Sequence, residues 1–137
     1  MDRRIFFLLN MAQKRLFRHV DAACESSVNA SVTQMAALMM VAKQPGLQQK
    51  DLAAALELNK SAITGLVARM EKNGLITRNG LDADGRAVCL SATAGGLEKI
   101  RQFRPLISML NDELAAEFSE DELTTVLRFL NFIINRF

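Results

Sequence analysis

The chain has no tryptophan, no tyrosine and a single histidine, His19. One histidine leaves no pair to hold a metal ion or to run a catalytic relay. Two cysteines, Cys24 and Cys89, are too few for a disulfide framework or a metal cage. Most hydrolytic and metal chemistry is thereby excluded, and we expect no catalytic residue, no metal and no cofactor. No apolar run approaches the roughly 20 residues that span a bilayer. Ile5 to Leu9 is apolar but too short for the core of a signal peptide, and no small-residue cleavage site follows it. The expectation is a cytoplasmic chain that does not engage a membrane. Low-complexity segments and internal repeats are also lacking.

What remains is an ordinary globular composition. The 137 residues are 50% hydrophobic and 23% charged, enough for one domain, or for one domain with a helical extension. Such a chain buries roughly two-thirds of its unfolded surface and needs no disulfide to fold. The net charge of +2 is unevenly spread. Residues 43–104 carry ten Lys+Arg against six Asp+Glu, and residues 105–137 carry two against six. A basic middle followed by an acidic end fits a middle that meets a polyanion.

Hydrophobic spacing lays out the elements. Ile5, Leu8, Leu9, Ala12, Leu16, Val20 and Ala23 recur at helical steps and predict a helix over residues 5–24, ended by the polar stretch Glu25 to Asn29. Ser31 and Gln34 read as a reciprocal capping box for a second helix, which Pro45-Gly46 stops. A short helix over 48–56 and a tight connection follow. Asn59 then caps another helix, whose buried face is Ile63, Leu66, Val67 and Met70. Asn73-Gly74 closes it. Strands over 75–78 and 87–91 flank a loop rich in glycine and aspartate, a hairpin with a long tip. Ser91 reads as the cap of a long helix running to about Phe118, which Pro105 is expected to kink or interrupt. Ser119-Glu120-Asp121-Glu122 is a second capping box. It opens a last helix with the apolar stripe Leu123, Val126, Leu127, Leu130, Ile133, Ile134 and Phe137.

Helix, short helix, tight turn, helix and two-stranded wing, in that order, predict a winged helix-turn-helix. The fold class is mainly α with a small β-hairpin wing. The core is expected over residues 31–91, with 1–30 and 92–137 forming a helical dimerisation region of one continuous fold. The helix from Asn59 is narrow enough for the major groove of B-DNA. Its outward face carries Asn59, Lys60, Ser61, Thr64, Ala68 and Lys72, all small or polar. A merely solvated helix face would look much the same, and the basic hairpin just after it favours the DNA reading.

The run Asp51-Leu52-Ala53-Ala54-Ala55-Leu56-Glu57-Leu58-Asn59-Lys60-Ser61-Ala62-Ile63-Thr64-Gly65-Leu66-Val67-Ala68-Arg69-Met70-Glu71-Lys72-Asn73-Gly74-Leu75-Ile76-Thr77-Arg78 resembles the two DNA-binding helices of the MarR family of bacterial transcription regulators. The resemblance extends from about Ile5 to Phe137. Met70 stands where the family usually has leucine, and Gly65 where it often has arginine. Asp84-Gly85-Arg86 matches the Asp-x-Arg of the family's wing, whose arginine enters the minor groove, oriented by the aspartate. Leu90-Ser91 matches the Leu-Thr that ends the second strand, while the glycine usual three residues later is displaced to Gly95 and Gly96. The resemblance implies a homodimer that binds double-stranded DNA through Asn59, Lys60, Ser61, Thr64, Arg69, Lys72, Arg78, Asp84 and Arg86. Dimerisation would use the terminal helices through Ile5, Leu8, Leu9, Leu123, Val126, Leu127, Leu130 and Ile134.

Arg15, Arg18 and His19 are the candidate contacts for a small effector, since the family often binds aromatic acids in a cleft beside the winged helix. Surface charge on a dimerisation helix is the better reading of the three. Cys24 and Cys89 raise a redox-sensing variant of the family, although the family's reactive cysteine lies near the start of the first helix, where phenylalanines and leucines stand here. Both read better as small buried hydrophobes. Asp82 and Asp84 read as a solvated turn rather than a cation site. The expectation is a DNA-binding regulator, a repressor released by a small ligand. Two rivals stay open: a winged-helix interaction module without DNA binding, and a cysteine-based redox regulator.

Overall fold

The computed structural model describes residues 1–80 and 87–137. The elements are α1 (Ile5–Val28), α2 (Val32–Lys43), β1 (Leu47–Gln48), α3 (Gln49–Ala55), α4 (Lys60–Lys72), β2 (Ile76–Gly80), β3 (Val88–Ala92), α5 (Ala94–Ala115) and α6 (Glu120–Arg136). The three strands form one antiparallel sheet in the order β1-β3-β2. Thr77 pairs with Ser91 and Arg78 with Leu90. Expected winged-helix architecture and observed architecture agree, and β1 is an addition. That strand is two residues long, Leu47 opposite Leu90 and Gln48 opposite Cys89. So short a segment has no periodicity to betray it.

The core lies between α2, α3, α4 and the sheet. Met35, Leu38, Val41, Leu52, Val67, Met70 and Leu90 are fully buried, and Ile63, Leu66, Leu75, Ile76, Ile100 and Phe103 nearly so. Each such side chain is worth about 1.5–3 kcal/mol when removed from water. The apolar face read from the spacing of α4 is the face that is buried.

Four local expectations are corrected. First, α1 runs on to Val28 and ends where Asn29 turns left-handed at φ 53°. Cys24 and Val28 continue its buried side through the polar stretch, so Ser26 and Ser27 simply face water. Second, only half of the capping box at α2 forms. Ser31 Oγ accepts from the Gln34 amide at 3.1 Å, but the Gln34 side chain is buried with Oε1 unpartnered. The Val32 amide instead donates to Asp21 Oδ1 of α1 at 2.8 Å, a tertiary cap that no local motif could announce. Third, Ser91 is a strand residue, and Thr93 caps α5. Its hydroxyl accepts from the Gly96 amide at 2.9 Å and donates to the Gly74 carbonyl at 2.5 Å. Fourth, α5 is one helix from Ala94 to Ala115 with Pro105 inside it, so the expected interruption is absent.

Two glycines have steric reasons. Gly74 takes φ 73° just past α4, and the Leu75 amide then donates back to the Met70 carbonyl at 3.0 Å. A Cβ on Gly96 would run into the Leu75 carbonyl, so α5 can lie against that chain only with glycine there.

By internal contacts the chain forms two compact units, Met1–Arg104 and Pro105–Phe137. The second holds the end of α5 and all of α6. The capping box at α6 is complete: Ser119 Oγ accepts from the Glu122 amide, and the Ser119 amide donates to Glu122 Oε2 at 2.8 Å. No residue of α6 is buried.

Candidate nucleic-acid interface

The site is built on the turn between α3 and α4. The Leu58 amide donates to the Ala53 carbonyl at 2.9 Å, and Glu57 sits left-handed at φ 55°. Asn59 then leaves the turn in extended geometry, and its Oδ1 accepts from the Ala62 amide at 2.8 Å. That bond satisfies one of the amides a helix start leaves without a partner, and it fixes the direction in which α4 leaves the turn.

Asn59, Lys60, Ser61, Thr64, Ala68, Arg69 and Lys72 are all exposed, opposite the buried face of α4. Lys60 and Lys72 stand at the two ends of a helix about 20 Å long. The Thr64 hydroxyl donates to the Lys60 carbonyl at 2.7 Å, so toward solvent it offers an acceptor. Ser61 makes no such back-bond among the described residues. Glu71 is the sole acid on α4, and it is engaged. Arg78 on β2 donates to Glu71 Oε1 from Nε at 3.2 Å and approaches it with Nη2 at 3.1 Å. This half-exposed pair ties the end of α4 to the first wing strand and adds at most about 1 kcal/mol. Sequence reading placed Arg78 at the interface but missed its partner, because the two residues meet across a helix and a strand. Asp84 and Arg86, with the rest of the wing tip that includes Asp82, lie outside the described residues.

Arg15, Arg18 and His19 are exposed on α1. None of them lines the cavity of about 520 Å³ between α2 and α5. Met39, Leu97 and Ile100 give that cavity apolar walls, with Lys43, Arg101 and Arg104 as its cations. Sequence reading passed over it. Its signal was faint: Met39 and Leu97 are apolar positions off the core stripes, next to basic residues.

Cys24 is fully buried on α1. Burial, and to a lesser degree the charges of Asp21 and Glu25, push its thiol above the ordinary range. Cys89 is partly exposed on β3. Among the described residues no three His, Cys, Asp or Glu side chains gather into a metal site, and no helix is long and apolar enough to cross a membrane.

Residues 30–88, the helices and strands just described, match the family model named MarR family. Along the chain, a putative transcriptional regulatory protein for the hcr operon of Thauera aromatica is 27% identical over 124 residues, 90% of this chain and 75% of the relative. The HTH-type transcriptional regulator MgrA of Staphylococcus aureus is 25% identical over 139 residues, 100% of this chain and 92% of the relative. In three dimensions, the S. aureus MepR–DNA complex superposes with a TM-score of 0.85 at 21% identity, covering 98% of this chain and 99% of that one, which shows a shared fold. The segment that holds the helix-turn-helix, α3 and α4, and the first wing strand β2 is thus similar to the MarR family.

Proposed function

We propose that this protein is a DNA-binding transcription regulator that acts as a homodimer, docking α4 in the major groove. The carrying observation is the outward face of α4, where the small or uncharged Ser61, Thr64 and Ala68 stand among the exposed cations Lys60, Arg69 and Lys72. The MepR structure that this fold resembles is a complex with DNA, which supports the reading. Lys60, Lys72, Arg69 and Arg78 are the cations near that face, and Asn59, Ser61 and Thr64 its uncharged polar groups. Phosphate contacts position such a helix, and base contacts give sequence preference. With its proton given to Lys60 O, Thr64 is suited to accept from a base amino group. Arg86, on the wing, is proposed to enter the adjacent minor groove beside Asp84.

A two-fold dimer presents two copies of α4, so the operator is expected to be a pseudo-palindrome with half-site centres about 10 base pairs apart. The dimer interface is proposed on α1 and α6, whose apolar side chains are largely uncovered: Ile5 is 62% exposed, Leu127 58% and Ile134 74%. Repression, with release by a small acid, is the finer reading. The cavity between α2 and α5 has a volume suited to one small molecule and cations suited to a carboxylate. PcaV of Streptomyces coelicolor, of the same fold, was solved with its natural ligand.

The test is binding to operator and random duplex across a salt series. Arg86→Ala or Lys60→Ala is expected to weaken binding to all sequences and lower the salt slope by about one unit. Ser61→Ala or Thr64→Ala is expected to leave the slope unchanged and to reduce discrimination at one or two positions by about 1 kcal/mol or more. If the parent retards no duplex at low salt, the interaction-module reading replaces this one.

A further inference from the structure

The outward face of α4 is centred on Gly65. Ser61 lies four residues before it, and Ala68 and Lys72 lie three and seven after, so all share its side of the helix. No left-handed conformation accounts for the glycine, since Gly65 is not among the residues with positive φ. Glycine is also the poorest helix former after proline. What distinguishes the position is space. A Cβ built there would stand 3.2 Å from Nη1 of Arg69, tighter than ordinary van der Waals contact. The Arg69 guanidinium therefore lies back across Gly65, in the direction in which helical side chains lean. Arg78 and Arg101 pair with Glu71 and Glu98. Arg69 has no carboxylate within ion-pair distance among the described residues.

We propose that Gly65 is a positioning residue for Arg69. The missing Cβ lets the guanidinium lie flat along the middle of the outward face, where its fork meets the O6 and N7 edge of a guanine. This inference rests on the docking of α4 proposed above. The middle of a docked helix faces the floor of the groove, while its edges face the phosphate walls. Small neighbours at Ser61 and Ala68 let that middle approach closely. A planar arginine is the commonest specific reader of guanine in the major groove. An arginine at 65 would project outward from its own Cβ, whereas Arg69 reaches the same spot from one turn further along.

The experiment compares Gly65→Ala, Arg69→Ala, the double variant and Arg69→Lys with the parent. Two duplexes serve as probes, one selected by the parent from a randomised pool and one random, and thermal unfolding is recorded in parallel. Gly65→Ala is expected to raise Tm by about 4 °C, as alanine favours the helix, while weakening the selected duplex about tenfold and the random one less than twofold. Arg69→Ala is expected to weaken the selected duplex about tenfold or more and to lose preference at one base pair. The double variant should bind no more weakly than Arg69→Ala alone, because the glycine acts only through the arginine. Arg69→Lys should not restore the preference, since an ammonium lacks the planar fork. The inference is overturned if Gly65→Ala binds the selected duplex like the parent, if the two losses add in the double variant, or if Arg69→Ala weakens both duplexes equally. With Ser61→Ala altering base preference at the same time, any of those results removes this inference and leaves α4 as the docked helix. A parent that selects no duplex removes both.

Discussion

Gly96 shows how one atom decides where an element can lie. Its hydrogen faces the Leu75 carbonyl, and a methyl group would occupy the same space. Gly96→Ala has no cheap relaxation, because the obstacle is backbone rather than the tip of a flexible side chain. We expect it to lower stability by about 1–3 kcal/mol, read as a shift in the urea midpoint with little change in slope. A midpoint equal to the parent's would mean that α5 can slide away from Leu75 at no cost. The two cysteines make a second contrast at this scale. Cys24 is buried with its thiol pushed up, so at neutral pH it is held protonated and away from reagent. Cys89 is partly exposed. A thiol reagent is expected to modify one cysteine per chain in the native protein and both in denaturant. DNA binding by the parent is expected to persist in low peroxide. Release that disappears when both cysteines are replaced by alanine would establish the redox rival.

At the scale of elements, the start of α4 carries the most consequence. Asn59 serves the helix through the 2.8 Å bond to the Ala62 amide, and it stands beside Lys60 and Ser61 on the proposed docking face. Asn59→Ala is expected to cost about 1 kcal/mol of stability, and Asn59→Asp to keep the cap. The two variants part company on DNA. Asp places a negative charge near phosphate, so it should bind more weakly than the parent at low salt and approach it as salt rises. If Asn59→Asp and the parent bind alike at low salt, this end of α4 lies away from DNA. The joint between α1 and α2 is held differently, by side chains remote in sequence. Asp21 accepts from the Val32 amide at 2.8 Å, and Lys99 of α5 donates to the Val28 carbonyl at 2.5 Å. A cation on the last carbonyls of a helix is favoured by the helix dipole.

For the molecule as a whole, the uncovered apolar surface is the dominant fact. α6 has no buried residue, and Phe132 and Ile134 are 59% and 74% exposed. Phe6 on α1 is 85% exposed. Fully covering one such side chain is worth about 1.5–3 kcal/mol, so several together give a second copy reason to bind. We expect sedimentation to report about twice the chain mass of 15.2 kDa, and Tm to rise with protein concentration. Deleting residues 119–137 should leave an aggregating or unfolded chain. A soluble, well-folded monomer after that deletion would remove the dimer proposal.

The amino-acid sequence determined the helices, the turn between α3 and α4, the cap at Asn59 and the buried face of α4. Each rests on spacing or capping within a few residues, where side chains three or four apart share a helix face. It also carried the resemblance to the MarR family, through the run from Asp51 to Arg78, which lies inside the matched segment. Tertiary structure decided what depends on residues far apart. Leu47 becomes a strand only because Leu90 lies opposite it. Ser91 reads as a cap by its local pattern, yet pairing with Thr77 draws it into β3, and the cap passes to Thr93. The Gln34 side chain is buried instead of returning to Ser31, and Asp21 of α1 takes the Val32 amide at the start of α2. Arg78 meets Glu71, and a cavity opens between Lys43 and Arg101, only once the helices are packed. Local patterns fix backbone conformation through short-range sterics and hydrogen bonds. Partners across elements are chosen by packing, which no single stretch of sequence contains.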